Sequence, residues 1–238
     1  MPLHALAGPL DGLRALPVNY DESAAPPHVT SGWHHDHVTV ELGREAPGPA
    51  QPGGLAETAH ALVDRYEFSN PHQLRAVYRP TSDLLGRDML LEGRFLRLRF
   101  LFGVRITEQH DEVRDGPHGP ERAVGWAYQT LAGHLEQGRL TYEVVKELDT
   151  GLVTFSIIAY SRRAPVPNPL LRWGFHLFGR ANQRHFYRHA LRRLRALVHQ
   201  PLPPARSQPD ADGLQHAPSG SAPGRAESLT LTFHNPGR

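Results

Sequence analysis

Residues 140–198 read LTYEVVKELDTGLVTFSIIAYSRRAPVPNPLLRWGFHLFGRANQRHFYRHALRRLRALV. Within this stretch the hydrophobic period changes from two residues to that of a helix. Leu140, Tyr142 and Val144 alternate with polar neighbours. Asp149-Thr150-Gly151 supplies a hairpin turn with glycine in the left-handed conformation, and Val153, Phe155, Ile157 and Ala159 alternate again. Asn168-Pro169 then reads as an N-cap and a first-turn proline. An apolar side made of Leu170, Trp173, Leu177, Ala181, Phe186, Ala190, Leu194 and Leu197 continues to Val198, and Pro201 ends it. At 1.5 Å per residue this helix is roughly 45 Å long, enough to cross a whole sheet.

Upstream, period two prevails. Met89, Leu91, Gly93 and Phe95 form one alternating set; Leu96, Leu98, Phe100, Phe102, Val104 and Ile106 form another, one residue out of phase. A slip of one residue flips every side chain to the other face, so a bulge or turn is expected near Phe95-Leu96. Val124, Trp126, Tyr128 and Thr130 add a further strand, and Val38, Val40 and Leu42 the first. Between these, Leu55, Ala59, Leu62, Val63 and Tyr66 make a helical stripe. Asn70-Pro71 predicts a second short helix that buries Leu74 and Val77.

The order of elements predicts an α+β fold of the helix-grip type: a curved antiparallel sheet wrapped around a long C-terminal helix, with two short helices after the first strand. One domain is expected over 31–199, preceded by an irregular segment, 1–30, and followed by a disordered tail, 200–238. Pro, Ala, Ser, Gly and His dominate that tail, and they bury too little to offset ordering entropy.

The formal net charge of +2 conceals an asymmetry. Residues 1–161 hold 14 Lys+Arg against 21 Asp+Glu, whereas 162–206 hold ten Arg and no acid. Lys146 is the sole lysine. The absence of cysteine excludes disulfides and thiolate chemistry. The first residues lack the basic and apolar regions of an export signal, and no stretch reaches the ~20 apolar residues of a membrane span, so a cytoplasmic protein is expected.

Six segments carry a family resemblance: NYD (19–21), GWHHD (32–36), YEFSNPHQLRAVY (66–78), GRDMLLEGRFLRLRFLFGVRI (86–106), GWAYQTLAGHLEQGRLTYEVVK (125–146) and SRRAPVPNPLLRWGFHLFGR (161–180). Together they resemble the bacterial and plant family called domain of unknown function (DUF) nineteen-ninety, over about residues 17–198. The resemblance implies a START-like helix-grip domain and brings no catalytic residue with it. Gln129 and Ala132 stand where the family commonly has Arg and Glu.

The peptide Tyr128–Gly138 is the first candidate site. On one strand, His134 and Glu136 would share a face as an acid–base pair, with Tyr128 as a polarising donor. The structural alternative has Gly133 and Gly138 shaping bulges while His134 and Glu136 bond across strands. Trp126, Tyr128, Thr130, Tyr142, Phe155 and Trp173 are expected to line a cavity between sheet and helix. Arg162 and Arg163, with Asn168, could hold an anion at the helix N-terminus, and Arg180, Arg184 and Arg188 continue a positive face. A solvated face paired with the acidic remainder explains the same arginines. The cluster Trp33–His37 and the pair His185/His189 lack a third ligand, so no metal is expected. Without GxGxxG, P-loop, GxSxG or HExxH motifs, no cofactor is expected either.

Three readings stand: a binding module for a small apolar or lipid-like molecule; an enzyme using His134 and Glu136; and an interaction protein presenting the arginine face to an anionic partner. For the last, nucleic acid is the less favoured partner. Whether the chain is an enzyme is left open.

Overall fold

The computed structural model describes residues 6–21, 32–80, 83–95, 98–165, 169–200, 209–221 and 231–234, without the side chains of 94–95, 98–99, 169–179 and 231–234. The elements are α1 (Ala7–Gly12), a 3-10 turn (Leu13–Ala15), β1 (His34–Arg44), α2 (Leu55–Asp64), β2 (Leu74–Tyr78), β3 (Asp88–Phe95) and β4 (Leu98–Gly116). They continue with β5 (Gly119–Thr130), β6 (Glu136–Glu147), β7 (Leu152–Arg163), α3 (Pro169–Leu197), β8 (Gln215–Ala217) and β9 (Leu231–His234).

The strands form one sheet in the order β1-β7-β6-β5-β4-β3-β2-β8, with every neighbouring pair antiparallel; β9 lies off this path, parallel to the start of β4. This is the helix-grip arrangement. Residues of period two on β5, β6 and β7 point to the concave side, where Trp126, Tyr142, Val144, Phe155 and Ile157 meet α2 and the second half of α3 through Phe186, Tyr187, Ala190 and Leu194. Dry burial of this kind stabilises by about 25 cal/mol per Å² of apolar surface. No helix among the described residues is long and apolar enough to cross a membrane.

Glu45 fixes how α2 enters the core. Its carboxylate receives the Lys146 ammonium at 2.7 Å and the Ala56 backbone N–H at 2.8 Å. Only 2% of the Lys146 side chain is exposed, so the sole lysine is a buried structural cation. At the other end of α2, Tyr66 takes a left-handed conformation, φ 60°. That conformation stops the helix and turns the Tyr66 ring into the core against Phe68 and Tyr142.

The phase slip expected near Phe95-Leu96 falls between β3 and β4, where Phe95 pairs with Leu98. Three expectations change. The second short helix does not form. Asn70 instead caps a turn, its side chain accepting from His72 N–H at 3.0 Å, and the chain enters β2. Arg75 to Tyr78 are buried on both faces, which removes the alternation that marks a strand. Residues 7–15, expected to be irregular, are helical, and they place Leu6, Leu10 and Leu13 on the convex face with Val77, Leu90, Leu101 and Leu131. The C-terminal tail, expected to be disordered, contributes β8 on the outer edge of β2 and Leu214 to the same convex cluster. The Asn168 cap lies outside the described residues.

Arg105 clamps the N-terminal segment: it bonds Asp88 at 2.7 Å and the Leu13 carbonyl at 2.9 Å. Gly103 makes room beneath. A Cβ there would stand 2.5 Å from Leu13 Cδ2.

Candidate functional site

On β6 the even-numbered residues face the concave side, so Glu136 projects inward at the end of the row Leu140, Tyr142, Val144. Opposite it in register is Arg163 of β7. From β1 comes Asp36, which receives both terminal nitrogens of Arg180 on α3, one at 2.7 Å and the other shorter. Arg180 also bonds Gln183 at 2.8 Å, and Gln183 reaches Ser161 at 3.3 Å. One turn further along α3, Tyr187 turns its ring into the core. Its hydroxyl is buried and makes no hydrogen bond of good geometry among the described residues, Gln183 offering only a weak one.

Burial pushes the Glu136 carboxyl up to about 7, with Arg180 pulling it down and Asp36 adding to the rise. Near neutrality this group is therefore present both as a donor and as an acceptor. Burial likewise raises Tyr128, Tyr142 and Tyr187 above the ordinary tyrosine value, keeping all three neutral. Tyr66 and Tyr142 join hydroxyls at 3.2 Å, and Tyr142 bonds on to Tyr128. A run of neutral hydroxyls thus extends from α2 toward Glu136.

The residues expected to line a cavity divide three ways. Trp126, Tyr128, Tyr142 and Phe155 do converge, but ring against ring: Trp126 and Tyr142 have centroids 4.9 Å apart, and Phe68 wedges against Tyr142 at 4.5 Å. Tyr66 and Phe68 complete this aromatic group; Tyr66 was expected on the apolar stripe of the helix, whereas nothing in the sequence reading singled out Phe68. Thr130 is committed elsewhere. Its hydroxyl donates to Asn19 at 2.7 Å and accepts from Gly138 N–H at 3.0 Å, while Asn19 reaches the Glu136 carbonyl at 2.8 Å. The NYD segment therefore ties the β5–β6 corner, and Tyr20 follows by bonding Gln129 at 3.1 Å. The Trp173 side chain lies outside the described residues.

His134 and Glu136 do not share a strand face. Strand β6 begins at Glu136, and His134 sits in the preceding turn, where its Nδ1 accepts the Glu136 backbone N–H at 2.9 Å and its ring meets Phe102 at 5.0 Å. Gly133, φ 85°, makes that turn.

The arginines separate as well. Arg162 lies over the Trp33 ring at 4.7 Å and bonds Gln137 at 2.8 Å, whereas Arg180 is neutralised by Asp36. Arg163, Arg184 and Arg188 are exposed, as are Arg192 and Arg195. A separate hollow of about 260 Å³ lies under α2, lined by Ala56, His60, Val124, Val144 and Lys146 among others; it includes none of the expected lining residues. Among the described residues no three metal-ligating side chains cluster.

A family model described as "Domain of unknown function (DUF1990)" matches residues 19–193. No curated protein matches the sequence. Among solved structures, the chain is similar to the major latex-like protein 151 of Panax ginseng, at 12% identity and TM-score 0.45, covering 71% of this chain and 100% of that one. It is similar to the hypothetical protein jhp0584 of Helicobacter pylori, at 14% identity and TM-score 0.43, with 77% and 96% covered. Ara h 8.0201 is a third, at 10% identity and TM-score 0.40, with 70% and 98% covered.

Proposed function

From the premise that this chain belongs to the DUF1990 family, matched over residues 19–193, we propose that it binds a small, mostly apolar molecule between the concave sheet and α3. The molecule's one polar end would meet Glu136 and Tyr187. A single observation carries this reading: the Tyr187 hydroxyl is buried with no hydrogen bond of good geometry among the described residues, Gln183 offering only a weak one, near a carboxyl that burial has pushed up to about 7. Buried polar groups are nearly always satisfied, and leaving one unmet costs about 1–3 kcal/mol. A ligand hydroxyl or carbonyl would meet both groups at once. Native mass spectrometry of the chain purified from its own cells tests this. An adduct of a few hundred daltons that is reduced in Tyr187→Phe and Glu136→Gln supports the reading; a bare wild-type chain overturns it.

A second reading has its own observation. Arg184, Arg188, Arg192 and Arg195 are exposed on α3 and form no ion pair among the described residues, so their positive potential is uncancelled locally. An anionic surface partner would bind there. Salt-sensitive retention on heparin that is lost when these four become Gln supports that reading, and absence of retention at low salt removes it.

A further inference from the structure

The family domain ends at residue 193, yet residues 209–221 are seated on it by three kinds of contact. The first is backbone pairing. Tyr78, Val77 and Ala76 of β2 pair antiparallel with Gln215, His216 and Ala217. Without β8, the outer side of β2 would be a bare sheet edge with unpaired N–H and C=O groups. The second is an apolar side chain: Leu214, 1% exposed, enters the convex cluster beside Val77, Leu90 and Leu101. The third is polar. Glu67, 4% exposed, receives the Ser219 backbone N–H at 2.9 Å and the Ser219 hydroxyl at a shorter distance.

The segment also holds itself together by its own contacts. Asp210 accepts the N–H groups of Asp212 and Leu214 at 3.0 and 2.9 Å and the His216 ring at 2.8 Å. Gly213, φ 73°, completes that turn. Arg79 then holds the turn from the domain side by donating to the Asp212 carbonyl at 3.0 Å.

We propose that the outer edge of β2, with the Glu67 carboxylate at one end and the Val77–Leu90–Leu101 slot beneath, is a docking site for an extended peptide with Leu-x4-Ser spacing, occupied in cis by residues 209–221. Strand addition to a sheet edge takes affinity from main-chain hydrogen bonds and specificity from side-chain pockets, and both are present. Glu67 reads a donor pair that a serine at this spacing offers, and the slot reads the leucine. The cis segment is tethered, so it competes at an effective concentration on the order of millimolar. An outside peptide of the same pattern gains the site when the resident leaves.

The test uses the full chain and a fluorescein-labelled synthetic peptide of residues 208–222, QPDADGLQHAPSGSA. In the double variant Leu214→Asp/Ser219→Ala the resident segment loses its grip. The labelled peptide should then bind at least tenfold tighter than it binds the wild type, and adding Glu67→Gln should remove that gain. Equal binding to wild type and double variant overturns the proposal, as does no binding to a double variant with wild-type circular dichroism. Amide exchange on the unmodified wild type decides the matter if the double variant does not fold. Residues 214–217 should exchange as a detachable unit, faster than β5 and β6; exchange at the rate of those strands overturns the proposal.

Discussion

Glu136 and Glu143 lie on the same strand, β6, on opposite faces, and their carboxyls move in opposite directions. Glu136 points to the concave side, where burial pushes it up to about 7. Glu143 points to the convex side. Burial alone would raise it too, but hydrogen bonds from His110 at 3.1 Å and Arg114 at 2.8 Å outweigh that and hold it below its usual value. Gly125 stands between His110 and Glu143 in register, and its missing side chain lets them meet across β5. One face has answered its buried polar group with partners from its own strands; the other has left polar groups facing the interior. The proposed ligand would answer the polar groups on the concave side, and the contrast between the two faces is what its binding would remove.

The two faces can be broken separately. Trp126→Ala empties the aromatic group on the concave side, and a loss of about 3–5 kcal/mol in urea unfolding is expected. On the convex side, Gly103→Val drives a branched side chain into Leu13 and should cost about 1–3 kcal/mol. Amide exchange should then report loosening of residues 6–16 before that of β5 or β6.

Titration sharpens the contrast. Glu136 has a folded value raised from 4.5 to about 7, so the folded chain holds this proton more tightly than the unfolded one. Its stabilising contribution is complete below about 4.5, falls as pH rises, and levels off past about 7. A decline of about 2 kcal/mol is expected, discounted for partial exposure, and Glu136→Gln should abolish it in melting curves recorded across that range. Glu143 has the reverse sign: its contribution is present above its ordinary 4.5 and is lost as pH falls through its lower folded value, so Glu143→Gln should flatten the acid limb instead. The smallest effect belongs to the convex rim. Asp11 pairs with Arg79 at 2.8 Å but both are well exposed, so Asp11→Asn should change stability by under about 1 kcal/mol, within the range of surface pairs.

Much of the fold was legible before any coordinates. Alternation located β3 to β7 because each of these strands has one face buried and one wetter. The first-turn proline, Pro169, located the start of α3. Strand β2 was misread because all of Arg75 to Tyr78 is covered, by the core on one side and the terminal leucines on the other. Residues 7–15 and 215–217 were misread, the second of these through composition. Leu6, Leu10 and Leu13 stand at a spacing that a helix allows, but the segment was read as irregular. Of the site, Tyr128 and Glu136 were visible as polar groups on strands, whereas nothing in the sequence reading singled out Tyr187.

Sequence alone determined which residues of β5, β6 and β7 face together, because strand geometry converts every second position into a common side. Only tertiary structure decided what stands opposite them. Asp36 meets Arg180 across 144 positions and Ser219 meets Glu67 across 152. Such pairings depend on how the sheet curves and where α3 and the tail come to rest, and no local period encodes that.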